Sequence, residues 1–289
     1  MSSLPRNTKQ AATDLRHRIN AGRVAVQSQI GFFGKLFGNV ASDWKADNTR
    51  VTFADFAISE RILQALREDF PKDDFISEEA VPADETLSLE AQYAWVLDPV
   101  DGTNNYALGF PACAIALALL RDGEPLYGYV YDHSSGCLIE GGPEHGLVVD
   151  GRKRLPDDDP TGADKAPQPL IGLHFPLSET DLTALAPLLA KAKVRSFGSI
   201  ALATALTATG YLTGMFETKG HLWDYAAGVA LLLAAGRELA FQGQAPFPLR
   251  TFSYQSPPPR FIAGRHCQVQ RLKDCIGGNW VFYRTSEDP

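Results

Sequence analysis

The chain has 289 residues, 45% of them hydrophobic and 21% charged, which suits one large domain or two tightly joined lobes around a substantial core. Its formal net charge of −7 argues against a nucleic-acid polymer as partner, since such binding rests on Lys and Arg against phosphates; a small phosphate stays compatible with an acidic chain if bound cations reverse the sign locally. The four cysteines, Cys113, Cys137, Cys267 and Cys275, form no C-x-x-C pair and no disulfide framework, so reduced thiols and a cytoplasmic location are expected.

The N-terminal Met-Ser-Ser-Leu-Pro-Arg-Asn lacks the apolar stretch of a signal peptide. From about residue 9 to residue 30 the pattern predicts a helix, with Leu15, Ile19, Val24 and Val26 among its apolar positions. Residues 31–50 mix glycines with Lys35, Asp43, Lys45 and Asp47 and read as a loop. A second helix starts at Thr52, places Phe53, Phe56, Leu63, Leu66 and Phe70 close to one face, and is ended by Pro71. Residues 93–97 form an apolar strand. The run 112–120 is a buried strand, far short of the roughly 20 residues a membrane span needs, and no membrane partner is expected. Strands at 126–131, 137–140 and 147–149 follow, separated by glycine-bearing turns, which predicts an antiparallel meander. Residues 156–169, rich in Pro, Asp and Gly, read as the junction between two lobes. Beyond it, strands at 170–173, 194–197 and 214–217 alternate with helices at 178–191, 198–212 and 223–235, the signature of helices packed on a sheet.

The most informative stretch is Trp95-Val96-Leu97-Asp98-Pro99-Val100-Asp101-Gly102-Thr103-Asn104-Asn105. A turn alone would account for its Asp, Pro and Gly. Two carboxylates at the end of a buried strand, however, repel each other unless a cation or donors neutralise them, which favours a hard cation held at the sheet edge. Glu78 and Glu79 follow Phe75-Ile76 at a strand end and read as solvated charge, or as one Glu turned inward and one to water. Asp55, three residues after Thr52, fits a capping box, a role compatible with service at a nearby site. Asp224, in His221-Leu222-Trp223-Asp224-Tyr225-Ala226-Ala227-Gly228, reads as the N-cap of a helix apolar nearly all round, hence buried. Gly198-Ser199-Ile200-Ala201 opens a helix after a strand and offers either a tight cap or backbone N–H groups for an anion.

Taken in order, Glu78-Glu79, W-x-x-D-P-x-D-G-T over 95–103, Gly198-Ser199 and W-D-x-A-A-G over 223–228 resemble the inositol monophosphatase superfamily of magnesium-dependent, lithium-sensitive phosphatases, from about Lys45 to the C-terminus. Asn104-Asn105 is similar to its inositol monophosphatase branch, where T-x-N is usual. The resemblance implies a mixed α+β fold, the layered αβαβα sandwich of the inositol monophosphatase and fructose-1,6-bisphosphatase type. An N-terminal lobe over 1–155 would carry most metal ligands, and a C-terminal α/β lobe over 156–289 would close the site. Two or three Mg2+ ions are implied: Glu78, Asp98 and the Val100 carbonyl on the first, Asp98, Asp101 and Asp224 on the second, with Glu78 helping to hold a third. Thr103 would pair with Asp55 and, with Glu78, orient the attacking water; the N–H groups of Gly102 and Thr103 would bind phosphate. Glu217, with Gly198 and Ile200, would face the substrate alcohol, and a homodimer is implied by analogy. The chain departs from the family in having Ser77 where Gly is usual, Lys45 one residue closer to Asp55 than in the animal enzymes, and His174-Phe175-Pro176 in place of a small polar stretch that often faces inositol.

Magnesium takes oxygen ligands at about 2.0–2.1 Å, so carboxylates and a carbonyl suit it without His or Cys. Two such ions about 3.5–4 Å apart activate a water and neutralise a leaving alkoxide. The expected function is therefore a magnesium-dependent phosphomonoesterase acting on inositol monophosphate or a similar polyol or sugar phosphate. Fructose-1,6-bisphosphate, histidinol phosphate and 3′-phosphoadenosine 5′-phosphate are alternative substrates. A phosphatase-like metal- or ligand-binding module is the non-enzyme alternative; the full set of carboxylates together with Thr103 ranks it lower. On this reading Asp101→Asn abolishes turnover and leaves the fold intact.

Overall fold

The chain is seen in a computed structural model that describes residues 6–45, 50–81, 84–154 and 168–284. Its first half comprises α1 (Arg6–Leu36), β1 (Ser42–Trp44), β2 (Arg50–Thr52), α2 (Phe53–Asp69), β3 (Asp74–Ser77), β4 (Thr86–Ser88), β5 (Tyr93–Asp101), α3 (Thr103–Leu108), β6 (Ala114–Arg121), β7 (Glu124–Asp132), β8 (Cys137–Gly142), β9 (Gly146–Val149) and β10 (Arg152–Arg154). The second half comprises β11 (Leu170–Leu173), α4 (Glu179–Leu189), β12 (Lys193–Arg195), α5 (Ile200–Ala208), β13 (Gly214–Glu217), α6 (Leu222–Ala234), β14 (Glu238–Gln242), β15 (Thr251–Ser253), β16 (Phe261–Gly264), α7 (His266–Ile276) and β17 (Trp280–Phe282).

These elements stack in five layers. A seven-stranded sheet runs β10-β9-β8-β7-β6-β5-β3, the expected meander closed by β3 parallel to β5. A six-stranded sheet runs β12-β11-β13-β16-β14-β17, with β12, β11 and β13 parallel. Helices α1 and α2 cover the outer face of the first sheet, α5 and α6 lie between the sheets, and α4 and α7 cover the second. The fold is the layered αβαβα sandwich. Among the described residues no helix is long and apolar enough to cross a membrane.

The period-2 alternation of the central strands sorts side chains by size. Trp95, Leu97, Ile115, Leu117 and Leu119 face α1 and α2, whereas Ala94, Val96, Ala114, Ala116 and Ala118 face α6. The small face lets α6 approach closely. At Gly128 of β7 an added Cβ would lie 2.2 Å from the Ala227 carbonyl oxygen of α6. The indole N–H of buried Trp95 donates to Asp73 at 3.0 Å, and Asp73 is held in turn by two bonds from Arg18.

Several sequence expectations shift. Helix α1 continues to Leu36 through Gly31 and Gly34, because Phe33 between them is fully buried. Val24 is 54% exposed, since the buried stripe passes through Ile19, Ala25 and Val26. In α2 the buried face follows Ala54, Ile58, Ile62 and Leu66, which turns Phe53 and Phe56 to solvent at 64% and 52% exposure. The loop expected at 31–50 contains β1, paired antiparallel with β2. The strand expected at 194–197 is β12, and the helix expected at 198–212 is the shorter α5. Asp224 is not an N-cap: His221 is, and Asp224 is the third helical residue of a capping box. Most of the junction read at 156–169 lies outside the described residues.

Gly128→Ala is expected to destabilise the protein by about 1–3 kcal/mol through overpacking against backbone, read as a lower midpoint in denaturant melts. Gly31→Ala, where an added Cβ meets nothing within 4 Å, should instead raise stability, by about 0.5–1 kcal/mol of helix propensity.

Candidate active site

Strand β5 stays buried to its end, then breaks register with β6 between Asp98 and Asp101. The bulge brings together Asp98 and Asp101, which a regular strand would point to opposite faces of the sheet. Ligand oxygens of Asp98, Asp101 and Asp224 all lie within 4.8 Å of one another, with Asp98 and Asp101 buried and Asp224 partly so. Each is held in place by backbone donors. Val100 N–H donates to Asp98 Oδ1 at 3.0 Å. His221 N–H donates to Asp224 Oδ2 at 2.6 Å. Asp101 receives Ile200 N–H at 3.2 Å, Ala201 N–H at 2.8 Å and the Ser199 hydroxyl. Asp101 thus anchors the start of α5, a role beyond ion binding that its position in a D-P-x-D-G turn does not disclose.

Gly102 makes the turn after Asp101 at a left-handed φ of 84°, where an added Cβ would also lie 3.0 Å from the Ala112 carbonyl and 3.1 Å from that of Gly198. Thr103, at the first position of α3, donates its hydroxyl to Asp55 Oδ1 at 3.1 Å and to the Val100 carbonyl at 2.9 Å. The capping box at α2 is real: Thr52 N–H and its hydroxyl reach Asp55 Oδ2 at 2.8 and 2.5 Å, and Ala54 N–H donates to the Thr52 hydroxyl at 3.1 Å. One Asp55 oxygen therefore serves the helix and the other faces Thr103.

Glu78 and Glu79 do not divide between site and water. Lys45 Nζ bonds both, at 2.8 Å to Glu78 and 2.7 Å to Glu79, and their side chains are 16% and 6% exposed. Ser77 is fully buried and shares a 2.8 Å hydrogen bond with Ser59. Glu217, at the end of β13 and 1% exposed, accepts from Thr218 N–H and Lys219 N–H, both at 2.7 Å, and meets His174 Nδ1 at 3.2 Å. Gly198 and Ser199 line a narrow cavity with His174 and Glu217. The Ile200 side chain packs into the core beside Gly220, so that what it turns toward the site is its N–H. Asn105, given no role in the sequence, donates from one amide to the Ala112 carbonyl at 2.7 Å and to the Phe197 carbonyl at 2.6 Å.

The electrostatics follow from burial of like charges. Burial first, then the charges of Glu78, Asp101 and Asp224, pushes Asp98 well above the ordinary carboxylate range. Burial, then Asp101 and Glu78, does the same to Asp224. Burial raises Asp101 against the pull of Ser199, Ala201 and Ile200. Burial raises Glu78 to about 7 although Lys45 opposes it, and raises Asp55 to about 6 against the Thr52 bonds. Protein donors alone thus leave the cluster reluctant to ionise. The donor set is all oxygen, converging and anionic, which fits a hard divalent cation. The Lys45 ammonium on Glu78 and Glu79 shows that a cation is accepted beside it.

These raised groups hold protons in the folded chain at pH values where the unfolded chain, with carboxylates near about 4, has released them. Without metal, the folded state accordingly loses stability as pH rises from that value to about 7. Magnesium should raise the melting temperature, and the increment should grow over the same window because protons and cation compete for the same oxygens. Thermal melts with magnesium and with chelator across that range check this; an increment independent of pH would contradict it. Asp101→Asn should abolish turnover and also lower stability by about 1–2 kcal/mol through the weakened α5 anchor, measured by denaturant titration beside Asp98→Asn.

Similarity to known proteins agrees with this geometry. The profile of the inositol monophosphatase family matches residues 12–272. The inositol-1-monophosphatase ImpA of Mycolicibacterium smegmatis is 34% identical over 232 residues, 74% of this chain and 78% of the relative. Inositol monophosphatase 1 of Sus scrofa is 27% identical over 209 residues, 69% of this chain and 73% of the relative. Among solved structures, the extragenic suppressor protein suhB from Bartonella henselae superposes with a TM-score of 0.75 at 23% identity, over 90% of this chain and 98% of that one. An IMPase/NADP phosphatase complexed with Mg2+ and phosphate gives 0.71 at 22% identity, over 96% and 100%. A profile match across both halves of the chain, together with a relative of this identity and coverage, places the protein in the inositol monophosphatase family.

Proposed function

We propose that this protein is a phosphomonoesterase that uses magnesium to hydrolyse inositol monophosphate or a similar polyol or sugar phosphate. One observation carries the reading: Asp224 of α6 converges on Asp98 and Asp101 of the distant β5, and Thr103, two residues on, pairs with Asp55. The naming of its 34% identical relative as an inositol-1-monophosphatase supports the substrate class.

Glu78, Asp98 and the Val100 carbonyl would hold a first ion, Asp98, Asp101 and Asp224 a second, and Glu78 would help to hold a third. Magnesium, when bound, supplies Lewis-acid activation of the nucleophile and neutralises charge on the phosphoryl and leaving groups. The chain's own groups do the positioning. Asp55 is fixed by Thr52 and accepts a hydrogen bond from the Thr103 hydroxyl, which leaves a lone pair of the Thr103 oxygen to accept from a water. Glu78 would take the second hydrogen bond from that water and so help to orient its lone pair toward phosphorus. The N–H groups of Gly102 and Thr103 would hold phosphoryl oxygens, while Gly198 and Glu217 would bound the alcohol end and Ile200 would serve through the N–H that fixes Asp101.

The reading extends to two lobes, 1–155 and 156–289, and to a homodimer in the cytoplasm. Exposed apolar side chains at Phe53, Phe56, Leu108 and Phe110 support association, and cysteines free of disulfides support a reducing compartment.

Phosphate release from inositol 1-phosphate should require magnesium, stop on chelation, return on adding the ion back, and fall in millimolar lithium. Thr103→Val should lower kcat by about 10²–10⁴ with a small change in melting temperature. Full activity after exhaustive chelation would exclude the mechanism.

A further inference from the structure

The alcohol end of the site differs from a simple acceptor subsite. β11 and β13 are parallel neighbours with Leu173 opposite Phe216. The next residue of each strand, His174 and Glu217, therefore emerges side by side at the same sheet edge, where parallel strands commonly present ligand-binding groups. The Glu217 carboxylate already takes two backbone N–H groups and His174 Nδ1. Much of its capacity for substrate hydroxyls is thus committed within the protein.

His174 is placed to act in its stead. Its side chain is 27% exposed, and among the described residues Glu217 is its one hydrogen-bond partner. With Nδ1 turned to Glu217, Nε2 is the ring nitrogen left for a ligand. His174 shares its narrow cavity with Phe197, Gly198 and Ser199, and Ser199 in turn bonds Asp101, so this edge continues directly from the carboxylate cluster. The bond from Glu217 favours the charged imidazolium against the opposing effect of burial, with the Glu217 and Asp101 charges adding to it, and the ammonium of exposed Lys219 lies close enough to be felt at the ring. Glu217 is thus held by the His174 ring on one oxygen and by the Thr218 and Lys219 N–H groups on the other, and the exposed Lys219 side chain adds a positive charge near the ring.

We infer that His174 is a specificity-determining residue, and that with Lys219 it selects phosphate monoesters whose alcohol carries a second anionic group, a carboxylate or another phosphate, over those of neutral polyols. The inference rests on the phosphomonoesterase reading and deepens it. A second anion would accept a charge-assisted hydrogen bond from Nε2–H, which a neutral hydroxyl matches only weakly.

A matched pair of substrates isolates the effect. 2-Phosphoglycerate and glycerol 2-phosphate differ by a carboxylate in place of a hydroxymethyl group. The wild-type protein with magnesium should favour 2-phosphoglycerate in kcat/KM by roughly tenfold, with the difference in KM rather than kcat. His174→Ala should collapse that ratio toward unity, and His174→Gln, which keeps a neutral donor, should leave it intermediate. A merely structural role for His174 would depress both substrates together and leave the ratio intact. An equal or inverted wild-type preference, or a ratio unmoved in both variants, overturns the inference. Wild-type turnover of p-nitrophenyl phosphate separates the two levels: its presence alongside an absent preference refutes only the role of His174, and its absence refutes the phosphomonoesterase reading and this inference with it.

Discussion

Like charges buried together are the constraint from which the rest of this structure follows. Asp98, Asp101 and Asp224 stand at the end of a strand that is buried along its length. Taking carboxylates out of water is costly unless something neutralises them. The backbone contributes through single donors on Asp98 and Asp224 and two on Asp101, yet Asp98 and Asp224 remain far from their ordinary ionisation. A fold that maintains such a cluster suits cations rather than anions, and the proposed chemistry rests on what a cation held there would do to a neighbouring phosphate.

The same constraint explains features of the packing. Asp224 reaches the cluster because α6 lies close against the first sheet, and α6 lies close because the facing positions are Ala and Gly. Gly228 meets Thr204 of α5 in the same way, where an added Cβ would fall 1.9 Å from the hydroxyl oxygen. The W-D-x-A-A-G motif thus joins one carboxylate of the cluster to the small residues that let its helix come near. Packing and function occupy one short stretch because the second depends on the first to within a fraction of an ångström.

Much of this was legible in the sequence where local pattern and tertiary role coincide. The apolar run before Asp98 had to be a buried strand, and the apolar helix after Asp224 had to be a buried helix; both are. The capping box at Thr52 and Asp55 needs only residues three apart, and it forms. Legibility failed where partners come from distant segments. Nothing local announces that Lys45 bridges Glu78 and Glu79, because they follow strands of different sheets, or that His174 meets Glu217 across 43 residues, because the register of β11 on β13 decides it. The strands β14, β16 and β17 are short and pair out of sequence order, so turn signals could not place them. The outward turn of Phe53 and Phe56 shows that helical spacing defines a stripe without saying on which side of it the core lies.

Asn105 carries one more consequence. Its single amide holds the carbonyl of Ala112, beside the turn that follows Asp101, and the carbonyl of Phe197, beside the turn that opens α5. One wall of the cleft is thereby riveted to the other by a side chain that need not move for a ligand to enter. The distance between those two turns is then a gauge cut into the scaffold, and on the proposed function it would limit the length of a cargo before any of its functional groups is read.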